Sequence, residues 1–119
     1  MSITEKINIV LIVGNNICVS AEDGVKVYDV ISKALREGKN IEISFKGIED
    51  LTSLFLNTAI GQLYNNFQED ELKKRLTVVN ADPQDLDTLK RSVDRAKDYF
   101  KDPERFHSAT DEILGDDNE

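Results

Sequence analysis

The sequence predicts an α/β domain in which helices pack against a mixed β-sheet, in the order β-β-α-β-α-β-α. Three observations point there. Short runs rich in β-branched residues recur at residues 7–13, 17–20, 41–45 and 76–80. Between and after the later runs lie longer stretches whose apolar residues fall at helical spacing. Gly, Asn and Pro stand at the joints, where turns and helix ends need them. A chain of 119 residues has the length for one domain around one core.

The first two runs, residues 7–13 and 17–20, are separated by Gly14-Asn15-Asn16. Gly and Asn tolerate positive φ, so the pair reads as a β-hairpin. Ser20 is placed to cap the next helix, with Glu22 and Asp23 where the helix dipole favours acids. Val27, Ile31, Ala34 and Leu35 mark its apolar face, and Gly38 closes it. Ile41, Ile43 and Phe45 alternate with polar residues, so residues 41–45 read as a strand with a buried face, ending at Gly47. Asp50 or Thr52 then starts a second helix with a broad stripe of Phe55, Leu56, Ala59, Ile60, Leu63 and Phe67. Residues 69–75 are a charged turn or short helix, and residues 76–80 the next strand. Asp82-Pro83 opens the last helix, with Asp as cap and Pro in its first turn. Leu86, Leu89, Val93, Ala96 and Phe100 recur on one face of it. Asp87 with Arg91, and Lys90 with Asp94, pair across its exposed side.

Pro103 ends that helix. Residues 103–119 hold six acids and one base, which assigns −5 of the net −8 to this segment and about −3 to the rest. The organisation expected is a domain over 1–102 and an acidic C-terminal tail over 103–119. Phe106 and the Ile113-Leu114 pair are the tail's large apolar side chains. An acidic balance of this size argues against nucleic acid as partner, since phosphate contacts need clustered Lys and Arg. It argues against anionic membrane surfaces for the same reason. One cysteine, Cys18, excludes an intrachain disulfide and suits a reducing compartment. Its setting, Ile17-Cys18-Val19, is that of a small apolar strand residue. Residues 7–13 are too short to span a bilayer and lack the flanks of a signal peptide. The location expected is the cytoplasm.

Catalytic constellations fail on inventory. The one histidine, His107, sits in the tail among polar residues, without the converging donors a metal needs. CxxC, HExxH, GxxxxGK[ST] and GxGxxG motifs are all missing from the sequence. The many carboxylates are those of a solvated surface. The expectation is a protein that is not an enzyme, holds no cofactor and no metal, and works by binding a protein partner. Gly61 stands inside a helical pattern, where it costs about 1 kcal/mol relative to Ala. Close packing of helix on sheet is the expected reason.

The junction of residues 46–57, Lys46-Gly47-Ile48-Glu49-Asp50-Leu51-Thr52-Ser53-Leu54-Phe55-Leu56-Asn57, joins a strand to a helix. Thr52 and Ser53 stand where their hydroxyls can cap it. Capping alone accounts for Asp50, Thr52 and Ser53. A phosphate added there would also meet the unpaired N–H groups of the helix start, and would change the local charge by about −1.5 to −2.

Residues 41–67, IEISFKGIEDLTSLFLNTAIGQLYNNF, resemble the core of the family of STAS-like domains of unknown function. The motif is Phe45-x-Gly47-Ile48-x-x-Leu51-Thr52-Ser53-x-Phe55-Leu56-Asn57. Ser20-Ala21-Glu22-Asp23-Gly24 before it and Leu76-Thr77-Val78-Val79-Asn80 after it fall in similar places, so the resemblance covers residues 7–100. It implies a STAS-like mixed β-sheet with helices packed against it, and regulatory binding of the anti-anti-sigma kind. In anti-anti-sigma factors a Ser or Thr at the helix start after the central strand is phosphorylated by a histidine-kinase-like ATPase, and the partner is released. Their pattern is Asp, two hydroxyl residues, then Gly-Leu. Here Thr52 falls at the Asp position, Ser53 at the first hydroxyl, Leu54 at the second, the one commonly phosphorylated, and Phe55 at the Gly. The resemblance thus admits a binding surface kept with the switch lost as well as a switch moved to Ser53.

What the resemblance implies is therefore a bacterial regulatory domain whose partner-binding face comprises Asp50, Thr52, Ser53, Leu54 and Asn57. Ser53 is the phospho-switch candidate and Thr52 the second. The partner implied is an ATPase or a larger regulator. Two other classes fit the residues: a STAS domain sensing a small ligand such as a nucleotide, and an acidic antidote or inhibitor that blocks a basic site with its tail.

Overall fold

The computed structural model of the chain describes residues 3–101. Its main sheet has three parallel strands, β1 (Thr4–Asn8), β3 (Asn40–Ser44) and β5 (Leu76–Val79), in the order β1-β3-β5. Ile7 pairs with Ile43, and Ile43 with Val78. This row, with Ile41 and Leu76, turns its side chains into the core. The neighbouring row of Lys6, Glu42 and Thr77 points the other way and is polar. Parallel sheets usually need cover on both faces. Here the alternation of β3, with Ile41 and Ile43 buried between half-buried polar residues, leaves one face to the core and one to solvent.

Helix α2 (Ala21–Arg36) links β1 to β3. Ser20 caps it as expected, accepting from the Asp23 N–H at 3.1 Å. Val27, Ile31, Ala34 and Leu35 are buried on its inner face, and Gly38 follows it at φ +82. A second helical run covers residues 53–66. It comprises α3 (Ser53–Leu56), a π-helical segment (Asn57–Gly61) and α4 (Leu63–Asn66). Phe55, Leu56, Ala59, Ile60 and Leu63 are buried along it. Phe67 is half-buried and already extended beyond it. Helix α5 (Glu69–Arg75) leads directly into β5. Helix α6 (Pro83–Lys101) is capped by Asp82, whose Oδ1 accepts from the Asp85 N–H at 2.8 Å.

The N-terminal hairpin does not form, and the sheet is parallel rather than mixed. Only residues up to Asn8 are strand. Ile9–Val13 is the short helix α1. The reason lies on the partner strand. Asn8 pairs with Ser44, the last residue of β3, so an extended chain beyond it would have no partner. Asn8 instead accepts from the Leu11 N–H at 3.1 Å. Gly14, expected as the hairpin turn, is the left-handed C-cap of α1 at φ +80, donating to Val10 O at 2.7 Å. Tertiary pairing has overridden the β-branched preference of this run.

Ile17–Cys18 is strand β2, but its partner is β4 (Asp50–Leu51), parallel, in a separate two-stranded sheet. The order among the described residues is therefore β-α-β-α-β-β-α-α-α-β-α, counting α3, α4 and α5 and setting aside the π segment. The tail expected over residues 103–119, with Phe106, His107, Ile113 and Leu114, lies outside the described residues.

Gly61 meets a helix rather than the sheet. A Cβ there would stand 3.4 Å from the Ala96 Cβ of α6. A closer approach occurs at Gly24, where a Cβ would lie 2.8 Å from both Phe55 O and Thr58 Cβ. That glycine lets α2 sit against the start of the second helical run.

Candidate functional site

The small sheet decides where the second helical run begins. β2 leads to the cap of α2 and β4 to the cap of α3, so their parallel pairing sets two helix starts side by side. Thr52 fastens the junction. Its N–H donates to Cys18 O at 3.2 Å, and its Oγ1 donates to Val19 O at 3.0 Å while accepting from the Phe55 N–H at 3.2 Å. Its hydroxyl is thus engaged twice, and Thr52 rather than Asp50 is the N-cap of α3.

Asp50 lies in β4, exposed, opposite Ile17. Ser53 is the first residue of α3 and is exposed. Leu54 is 55 % exposed. Val19, before the cap of α2, and Val25, in the second turn of that helix, are exposed too. Asn57 opens the π segment and is half-buried.

The five candidate residues do not form one cluster. Ser53 lines a cleft of about 260 Å³ whose other wall is α6, through Thr88, Arg91, Ser92 and Arg95. Asn57, one helical turn on, lines an adjoining cleft of about 240 Å³ with Gly61, Gln62, Arg95, Ala96, Tyr99 and Phe100. Arg95 is common to both. Asp50, Thr52 and Leu54 line neither.

The sequence reading missed the α6 wall. Thr88, Arg91, Ser92 and Arg95 recur at i, i+3, i+4 and i+7, the spacing used to find apolar faces. A polar stripe at that spacing was the available signal. Arg91 was read only as the local partner of Asp87, and that pair does form, at 3.4 Å.

Cys18 is fully buried beneath the junction. Burial chiefly, and Asp23 secondarily, push its thiol up to about 11, so it is protonated and inert at neutral pH. This agrees with its reading as a small core residue. Among the described residues no group of three or more His, Cys, Asp or Glu could hold a metal ion. Nor is any helix among them long and apolar enough to cross a membrane.

Parallel strands, helices on the apolar face, and a capped helix start after the central strand make up a STAS-like α/β domain. The chain belongs to the family of STAS-like domains of unknown function, which it matches over residues 23–86. That span covers more than half of the chain and includes the whole junction from Lys46 to Asn57. It is shorter than the residues 7–100 over which the sequence suggested the resemblance. Arg91 and Arg95 stand beyond it. No curated protein and no solved structure matches the chain.

Proposed function

We propose that this domain is a non-catalytic regulatory module that binds a protein partner through the face around the start of α3, in the manner of anti-anti-sigma factors. The partner class that fits is a histidine-kinase-like ATPase or a larger regulator. The observation that carries the reading is the exposed Ser53-Leu54 pair on a rigidly fastened helix start, with Val19 and Val25 exposed on the adjoining one. Thr52 holds the backbone in place through three hydrogen bonds, so the side chains next to it are presented without a large ordering cost.

Ser53 is the switch residue of this reading. Thr52, whose hydroxyl already bonds twice, is the positioning residue beside it. A phosphate on Ser53 would place about −1.5 to −2 of charge beside Leu54, which disfavours an apolar contact there. The test is co-purification of tagged wild-type and Ser53→Asp chains from the native host at low salt. A near-stoichiometric ATPase-containing protein should be retained by the wild type and lost from the variant. Equal retention by both would remove Ser53 as the switch. No protein above background with either chain would overturn partner binding.

A further inference from the structure

The cleft between Ser53 and α6 has a feature that partner binding does not use. Ser92 lines it, is 2 % exposed, and its Oγ has no hydrogen-bond partner among the described residues. A buried hydroxyl left unpaired is destabilising, and a ligand oxygen in the cleft would relieve it. Two guanidinium groups stand on the same wall. Arg95 is exposed and makes no ion pair among the described residues. Arg91 pairs with Asp87 at 3.4 Å, with both side chains about two-thirds exposed, so the pair is weak and exchangeable. Asp94, next to Arg95 in the chain, is held by Lys90 at 3.0 Å. Thr88 already donates its hydroxyl proton to Gln84 O at 3.1 Å. The donors left on the cleft are therefore Arg95 and the Ser53 and Ser92 hydroxyls, with Arg91 joining them when it exchanges Asp87 for a ligand.

We propose that this cleft holds a phosphate monoester, with Arg91 and Arg95 as its charged clamp and Ser92 as its buried donor. Forked guanidinium donors suit phosphate oxygens, and a hydroxyl alongside completes the set. The phosphate can come from two sources. It arrives on a soluble ligand, or Ser53 itself carries it. The second source rests on the reading of Ser53 as a switch. There the Ser53 Oγ–P bond forms as the Pβ–O–Pγ bridge of a nucleoside triphosphate breaks on a partner kinase. The nucleoside diphosphate leaves with the electron pair, and the hydroxyl proton passes to solvent.

The experiment has two arms, both on the full chain. In the first, inorganic phosphate is titrated into the unmodified protein and amide shifts are followed by NMR. Binding centred on residues 53 and 88–95, weakened about tenfold by Arg95→Gln and unchanged by Lys74→Gln, a change at an exposed lysine of α5 outside the cleft, identifies a soluble phosphate. In the second, phosphoserine is installed at position 53 and its phosphorus resonance is titrated with pH. Its second ionisation should fall below the usual value of about 6 and return towards it in the Arg91→Gln/Arg95→Gln double variant. Success in either arm supports the site and names its source. Scattered shifts in the first arm together with an unmoved ionisation in the second would overturn it. Both outcomes are independent of whether a partner co-purifies, since neither arm contains one.

Discussion

At the scale of single residues, two glycines that look alike in the sequence differ in what surrounds them. Gly24 and Gly61 both stand inside helical runs, where Ala would be favoured by about 1 kcal/mol on propensity alone. At Gly61 a new Cβ would make an ordinary contact with Ala96 at 3.4 Å. At Gly24 it would meet a backbone carbonyl, Phe55 O, at 2.8 Å, and backbone cannot turn aside. Overpacking of that kind costs about 1–3 kcal/mol. Gly24→Ala should therefore lose about 1–2 kcal/mol in urea denaturation at unchanged slope, whereas Gly61→Ala should lie within about 0.5 kcal/mol of wild type or above it. A Gly24→Ala protein as stable as wild type would refute the close packing of α2 on the second helical run. The sequence marked Gly61 as the odd residue. Gly24 passed unnoticed because, in the first turn after a Ser cap, a glycine breaks no local rule.

At the scale of elements, the charged stretch before β5 does more than connect. Arg75 ends α5 with its side chain 17 % exposed. It pairs with Glu71 at 2.6 Å and donates to Leu35 O at 2.8 Å and Lys39 O at 2.6 Å. It thus ties the end of α2 and the entry to β3 to the helix that delivers β5. Hydrogen bonds to a charged group contribute about 1.5–3 kcal/mol, so Arg75→Ala should cost about 2 kcal/mol. Arg75→Lys should recover less than half of that, because one ammonium cannot serve both carbonyls and the carboxylate with a planar fork. Full rescue by Lys in chemical denaturation would reduce Arg75 to a point charge. The sequence placed α5 correctly as a charged turn or short helix, because helix signals are local. It could not show this clamp, whose partners lie 40 and 36 residues away.

At the scale of the whole molecule, Cys18 reports on the core that both sheets share. Its thiol is raised from an ordinary value of 9.0 to about 11 by burial and by Asp23. Below pH 9 both folded and unfolded chains keep the proton, and the thiol adds no pH dependence. Between about pH 9 and 11 the unfolded chain gives up the proton while the folded one retains it, so stability falls as pH rises. Stability measured across that window should fall less steeply in Cys18→Ala than in wild type. The native thiol should also react with a disulfide reagent at pH 8 only as fast as the domain opens. Equal slopes, or rapid labelling of the folded protein, would place Cys18 outside the core.

The sequence by itself determined the α/β class, the caps at Ser20 and Asp82, the apolar faces of α2 and of the second helical run, the central strand and the family resemblance. Each of these is written in neighbouring residues, through spacing, capping chemistry or a contiguous motif. It left Asp50 and Thr52 as alternative starts of the second run, and Leu86, expected on the apolar face of α6, is 45 % exposed. Tertiary structure decided the rest. Residues 7–13 divide between strand and helix because β3 ends at Ser44, a fact no local pattern carries. β2 found β4 rather than β1, since strand pairing is a long-range choice between similar apolar segments. The site followed the same division. Thr52 and Ser53 were legible as a helix start, while Arg91, Ser92 and Arg95 joined Ser53 only when α6 packed across the second helical run. A cleft between two helices belongs to neither sequence alone, because its walls meet only after the core has closed.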